Sequence, residues 1–244
     1  MNEEEASGGA EAKVEVRLTE DGSRTLFVPA LEEHYHSRHG ARQESRHVFV
    51  AAGLGPLLAA GAGQPAGPPL RVLEVGLGTG LNALLTLEAA VLPPRAGATL
   101  AYDALDTYPL PPAIVATLQP EWDAQGEPLA GLFRQLHAAP WNETNILWPG
   151  FALRKQLGPL QHADLPADYY SLIYFDAFAP DKQPELWTAA IFAQLHAAAA
   201  PGAVLVSYCA QGQFRRNLRA TGWCPERLPG PPGKREMTRA RKDS

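Results

Sequence analysis

The stretch Arg71-Val-Leu-Glu-Val-Gly-Leu-Gly-Thr-Gly-Leu-Asn82 decides the fold, because an apolar run that reads as a buried strand passes straight into a glycine turn that opens a helix. Gly76, Gly78 and Gly80 permit backbone angles and close approaches that a β-carbon forbids, and the helix start offers free N–H groups. That combination is a nucleotide-cofactor site. A dinucleotide site prefers G-x-G-x-x-G, with the helix end aimed at a pyrophosphate. Here the spacing is G-x-G-x-G, and acidic Glu74 stands two residues before the first glycine. An acid there would repel a pyrophosphate and suits a cofactor carrying an ammonium and a sulfonium. The alternative on this segment alone is a Gly-rich turn in an α/β protein of another kind.

The 244 residues suffice for one α/β domain with a full core. Hydrophobic content of 45% with 19% charged residues is that of a globular protein, and no run of 18 apolar residues offers a membrane span. No basic region precedes an apolar stretch at the N-terminus, and there are two cysteines, Cys209 and Cys224. Both facts lead us to expect a cytoplasmic protein without a disulfide framework. The net charge of −5 conceals a gradient. Residues 1–33 hold nine acids against three bases, and residues 210–244 hold nine bases against three acids. A local basic surface can bind a phosphate backbone even on an acidic protein, although a charge run is also the ordinary composition of a solvated face.

Outward from the glycine turn, residues 1–12 read as disordered, and Val14–Leu18 with Thr25–Val28 as a hairpin around Asp21-Gly22. Helical character is expected from Glu32 to Ala60, followed by the Gly/Pro-rich linker Gly61–Pro69. Strand Leu70–Val75, helix Leu81–Ala90 and strand Thr99–Leu105 then open the main sheet, and Asp106 at the end of the last is placed to meet ribose hydroxyls. Residues 109–150 resist assignment apart from a helix over Pro112–Leu118. Strands Phe151–Leu157 and Tyr170–Phe175 follow, the second running into Asp176-Ala-Phe-Ala-Pro180, at the carboxyl end where such sheets gather their chemistry. A helix over Glu185–Ala199, strand Val204–Tyr208, a helix around Phe214–Ala220, and strands Trp223–Leu228 and Arg235–Thr238 complete the chain.

Several segments together carry a resemblance: Tyr35–Ala41 with Gln43–Phe49, Glu74–Asn82, His137-Ala-Ala-Pro-Trp-Asn142, Phe175–Pro180 with Gln183–Thr188, and Pro229–Met237. E-x-G-x-G-x-G resembles the first motif of S-adenosylmethionine-dependent methyltransferases. The full set resembles, more specifically, the methyltransferases that finish 5-methylaminomethyl-2-thiouridine at the wobble position of tRNA, in their stand-alone form. The resemblance implies an α/β fold of class I, Rossmann-like, with a mostly parallel seven-stranded sheet and helices on both faces. Residues 67–244 would form that domain and residues 1–66 a small N-terminal extension. It also implies methyl transfer from S-adenosylmethionine to the primary amine of 5-aminomethyl-2-thiouridine. In some bacteria this domain is fused to an oxidase that performs the preceding step. No second glycine fingerprint is present here, so oxidase activity is expected to be absent. A separate oxidase or the primary modification complex is the partner such an arrangement would use.

On that resemblance Asp176 orients or deprotonates the acceptor amine, and Phe178 stacks on the thiouracil or meets the methyl donor. Glu74 would face the methionine ammonium, Gly76, Gly78 and Gly80 give backbone approach, Asn82 makes a polar contact, Asp106 holds the ribose and Asp164 the adenine amino group. Tyr35 and His36, with His39, would line the substrate mouth, while Lys234 and Arg235, with Arg215 and Arg216, would meet RNA phosphates. Two rival readings stay open: an N-methyltransferase of a small-molecule amine, and a nucleotide-binding scaffold without chemistry.

Overall fold

The computed structural model describes residues 14–64, 67–92 and 97–243. The acidic residues 1–12 lie outside them. β1 (Glu15–Leu18) and β2 (Arg24–Val28) form the expected antiparallel hairpin, and β3 (Glu33–His34) adds a short strand against β2. The helix expected from Glu32 begins only at Ala41. Tyr35 N–H donates to the Leu26 carbonyl at 2.8 Å, so the chain before that point continues to pair with β2 instead of coiling. α1 (Ala41–Ser45), a π-helical stretch (Arg46–Leu54) and α2 (Gly55–Ala59) then run on without a break.

The main sheet follows as β4 (Leu70–Val75), α3 (Leu81–Ala90), β5 (Leu100–Asp106), α4 (Pro112–Asp123), α5 (Leu129–Ala138), β6 (Thr144–Trp148), β7 (Phe151–Leu157), β8 (Tyr170–Phe175), α6 (Ala189–Ala198), β9 (Ala199–Ser207), α7 (Gly212–Ala220), β10 (Trp223–Pro229) and β11 (Glu236–Lys242). Spatial order is β10-β11-β9-β8-β4-β5-β7-β6. The five central strands are parallel, while β10, β11 and β6 each pair antiparallel with their neighbours. Among the described residues the sheet therefore has eight strands rather than seven. The extra one, β6, is a largely exposed edge strand folded back on β7, and its polar start hides it among the prolines and tryptophans before it.

Alternate residues of the central strands face two cores. Val72, Tyr102, Leu172, Tyr174 and Val206 pack under α3, α4, α5 and the π-helical stretch, whereas Leu73, Ile173, Phe175 and Leu205 pack under α6 and α7. Runs buried on both faces are what a parallel sheet covered by helices requires. The order reverses at β4, which leads through α3 to β5 on one side and takes β8 on the other, and this opens a crevice at the carboxyl ends of the strands.

The N-terminal helical segment is built into this frame. Phe49 is 5.1 Å, centroid to centroid, from Tyr174 of β8. At Gly53 a β-carbon would stand 3.0 Å from Val206 Cγ2 and 3.3 Å from both Leu172 Cδ1 and Tyr174 Cε1. Gly53→Val should therefore lift the helix from the sheet and cost about 1–3 kcal/mol, read as a lower urea midpoint. An unchanged midpoint would show that the helix has room to spare.

Candidate active site

The crevice holds a cavity of about 620 Å³, within the roughly 300–1,000 Å³ usual for cofactor and ligand sites. Its floor is the glycine turn. Gly76 has φ 91°, and a β-carbon there would sit 2.7 Å from the carbonyl oxygen of Asp176, so the two strand ends can lie together only with glycine at this position. At Gly78 a β-carbon would stand 3.0 Å from the Tyr35 ring, which packs directly on the turn. Gly80 caps α3 in the left-handed conformation and, unlike the other two, does not line the cavity. His137, from the motif after α5, donates from Nε2 to the Thr79 carbonyl at 3.2 Å and braces the turn from behind.

Asp106 ends β5 at the cavity wall. Its carboxylate accepts from Gly78 N–H and Tyr108 N–H, both at 2.9 Å, and so ties the strand end to the turn. Asp176 ends β8 opposite. Its backbone N–H donates to the Val75 carbonyl at 3.0 Å, and its Oδ2 accepts from Asn82 Nδ2 at 2.7 Å. Burial pushes the Asp176 carboxyl up to about 7, with the negative charge of Glu44 adding to the rise and Asn82 and Lys234 opposing it. Because the folded protein holds this proton more tightly than the unfolded chain, Asp176 favours the fold at low pH. That contribution is lost as pH rises from the ordinary 3.8 through about 7.

Glu74 and Asn82 lie beneath the floor and do not line the cavity. Asn82 Nδ2 also donates to Glu74 Oε1 at 2.9 Å, Tyr102 hydroxyl donates to Glu74 Oε2 at 3.0 Å, and Ser45 hydroxyl donates to Asn82 Oδ1. Burial holds the Glu74 carboxyl well above the usual carboxylate range. The two residues read as cofactor contacts thus form a buried network that fixes Asp176. Asp164 is exposed and off the cavity, beyond the short 3-10 turn after β7.

The roof comes from the N-terminal segment and from two loops. Tyr35 meets Phe178 edge to face at 5.1 Å, and its hydroxyl is pushed up to about 12 by burial and then by Asp106. Phe178 is fixed through its carbonyl, which accepts from Trp187 Nε1 at 2.8 Å. His36 lines the cavity and is pushed down to about 4 by burial, so it is neutral at physiological pH. Lys234 lines the cavity, whereas Arg235 is exposed outside it. Arg215 is buried against Glu236 at 3.4 Å, so it is a packing residue; Arg216 is exposed.

Sequence reasoning missed Glu44 and Tyr208. Glu44 is buried, accepts from Ser37 N–H at 2.7 Å and pairs with Lys234, while Tyr208 donates to the Ala177 carbonyl at 2.9 Å. Glu44 stands inside the quoted segment Gln43–Phe49, where nothing but its position in the motif marks it.

These residues fit a nucleoside cofactor: an acid at the end of β5, a side-chain-free turn for backbone approach, and Asp176 at the strand end opposite, with the Lys234-paired Glu44 also on the lining. The family model described as S-adenosyl-L-methionine-dependent methyltransferase matches residues 153–243. The solved structure of MnmC2 from Aquifex aeolicus superposes with a TM-score of 0.71 over 95% of this chain and 71% of that chain, at 24% identity. The chain has the fold of the S-adenosyl-L-methionine-dependent methyltransferases. It is 33% identical over 237 residues to the tRNA 5-methylaminomethyl-2-thiouridine biosynthesis bifunctional protein MnmC of Aromatoleum aromaticum, covering 92% of this chain and 34% of that protein. With the protein of the same name from Pseudomonas paraeruginosa the identity is 35% over 212 residues, covering 83% and 31%. The chain thus spans about one third of the length of these relatives and is homologous to their methyltransferase part.

In this methyltransferase fold the amide of Asn82 serves three partners at once. Asn82→Leu should cost about 3 kcal/mol, since two buried carboxyl groups lose their donor, and chemical unfolding measures it. A loss below about 0.5 kcal/mol, the scale of an ordinary surface change, would show that the network does not depend on Asn82.

Proposed function

We propose that the chain transfers a methyl group from S-adenosylmethionine to the primary amine of 5-aminomethyl-2-thiouridine at the tRNA wobble position. The observation that carries this reading is Asp176: a carboxyl group raised to about 7, at a strand end, inside a cavity walled by the aromatic rings of Tyr35 and Phe178. When bound, S-adenosylmethionine supplies an electrophilic methyl on a sulfonium. Gly76 and Gly78 would give its tail backbone approach and Asp106 would take the ribose hydroxyls. Glu74, beneath the floor, would support the glycine turn through its hydrogen bond to Asn82 rather than by its charge.

The chain's own task is to present a neutral amine lone pair in line with that methyl, at roughly 3 Å and without competing water. A primary ammonium has no lone pair, so a proton must first leave it. Asp176, titrating near neutrality, accepts that proton and passes it to water, and its carboxylate then holds the neutral amine through a remaining N–H, which leaves the lone pair free for the methyl. Phe178 and Tyr35 offer ring faces and edges for the thiouracil. Arg38 at the rim and Arg227 and Arg235 on the adjacent exposed surface would meet RNA phosphates.

No helix among the described residues is long and apolar enough to cross a membrane, and with tRNA as the proposed substrate the proposed place of action is the cytoplasm. A boundary at residues 66/67 separates extension from methyltransferase domain in the chain, but the extension supplies Tyr35, His36 and Glu44 to the cavity. A separate oxidase or the primary modification complex would supply the amine.

The test is incubation with methyl-labelled S-adenosylmethionine and tRNA lacking the final methylation, followed by nucleoside analysis. Label in 5-methylaminomethyl-2-thiouridine is the expected result. No label in tRNA, with donor binding verified, would overturn the reading in favour of a small-molecule amine. Asp176→Ala should cut turnover on the order of 100-fold while leaving donor affinity unchanged; wild-type turnover in that variant would remove Asp176 from the mechanism.

A further inference from the structure

Lys234 is delivered by the loop between β10 and β11, a closed turn in which Lys234 N–H donates to the Pro231 carbonyl at 2.9 Å and Gly230 N–H to the Arg235 carbonyl at 3.1 Å. Its ammonium reaches into the cavity, bonds the Glu44 carboxylate, and lies 4.1 Å from the centroid of the Tyr208 ring. Both partners are fixed from behind, Glu44 by Ser37 N–H and Tyr208 by its hydroxyl bond to the Ala177 carbonyl, one residue beyond Asp176. The arrangement is a primary alkylammonium held by one carboxylate and one aromatic face, beside the acid proposed to act on the acceptor.

The acceptor of the proposed reaction presents the same group, a primary ammonium on a methylene. We propose that Glu44 and Tyr208 form an ammonium-binding subsite beside Asp176 for the amine of the acceptor, and that Lys234 occupies this subsite until the acceptor displaces it. The inference rests on the proposed function for the identity of the acceptor. Glu44 is buried and would be stranded without a cationic partner, but an exchange of one ammonium for another keeps it paired. The exchange also frees Lys234 at the cavity mouth, next to Arg235, where an arriving phosphate backbone can take its charge. Acceptor binding and RNA docking would thus be coupled through one side chain.

Propylammonium, a bare primary alkylammonium, tests the subsite on the full chain, with uncharged 1-propanol as control. If Lys234 fills the subsite about nine-tenths of the time, Lys234→Ala should bind propylammonium about tenfold more tightly than the wild type, because the site is no longer occupied from within. The gain should vanish in Lys234→Ala/Glu44→Gln, and 1-propanol should show none. Equal propylammonium affinity in the wild type and Lys234→Ala would overturn the proposal, and that comparison stands even if the double variant fails to fold. Labelling of tRNA by the wild-type protein reports separately. A tighter Lys234→Ala without tRNA methylation would leave the subsite standing and remove the tRNA reading, and the converse would do the reverse.

Discussion

One amide group holds this site together. Asn82, at the start of α3, uses both amide hydrogens on carboxyl groups, one on Glu74 of β4 and one on Asp176 at the end of β8, and offers its oxygen to Ser45 of α1. Three segments far apart in the chain meet at this side chain, and its orientation is fixed because each of its polar atoms has a partner that only one orientation satisfies. The cost of burying two carboxyl groups side by side is met by that donor pair, by the Tyr102 hydroxyl, and by the upward displacement of both carboxyl groups toward their neutral forms. The same displacement leaves Asp176 able to take a proton near neutrality.

From this constraint the role of the N-terminal segment follows. It is an appendage by position in the chain and a wall by position in space, with Gly53 and Phe49 packed on the sheet and Ser45 bonded beneath the floor. Tyr35 lies over Gly78, and Glu44 reaches across to Lys234 of the last loop. A sheet with this strand order opens its crevice at the strand ends, and this segment covers it together with the loops that carry Phe178 and Lys234.

The parts legible in the sequence are those dictated locally. The strand Leu70–Val75 and helix Leu81–Ala90 were readable to the residue because an apolar run, a glycine turn and a helical period follow one another directly, and Tyr170–Phe175 was readable as an apolar run broken by an acid. Leu129, Leu132, Phe133 and Leu136 carry the helical period of α5 among prolines and tryptophans that masked it. β6 had no such signal, being an edge strand with a polar start. In the site, the acids at strand ends were found where topology places them. The partners of Glu74 and Asn82 were not, because whether a polar side chain faces a cavity or lies under its floor depends on packing. The Glu44–Lys234 contact spans 190 residues, a distance across which no sequence pattern points.

The most direct measurement is the titration of the Asp176 carboxyl itself, followed by ¹³C NMR on protein labelled at aspartate carboxyl carbons and assigned against Asp176→Asn. Burial of Asp176, only partly offset by Asn82, predicts a midpoint of about 7, with the group half-ionised at neutral pH. A midpoint near the ordinary 3.8 would mean that Asp176 is a solvated carboxylate at a strand end, and the account of how it takes a proton from the acceptor would fail.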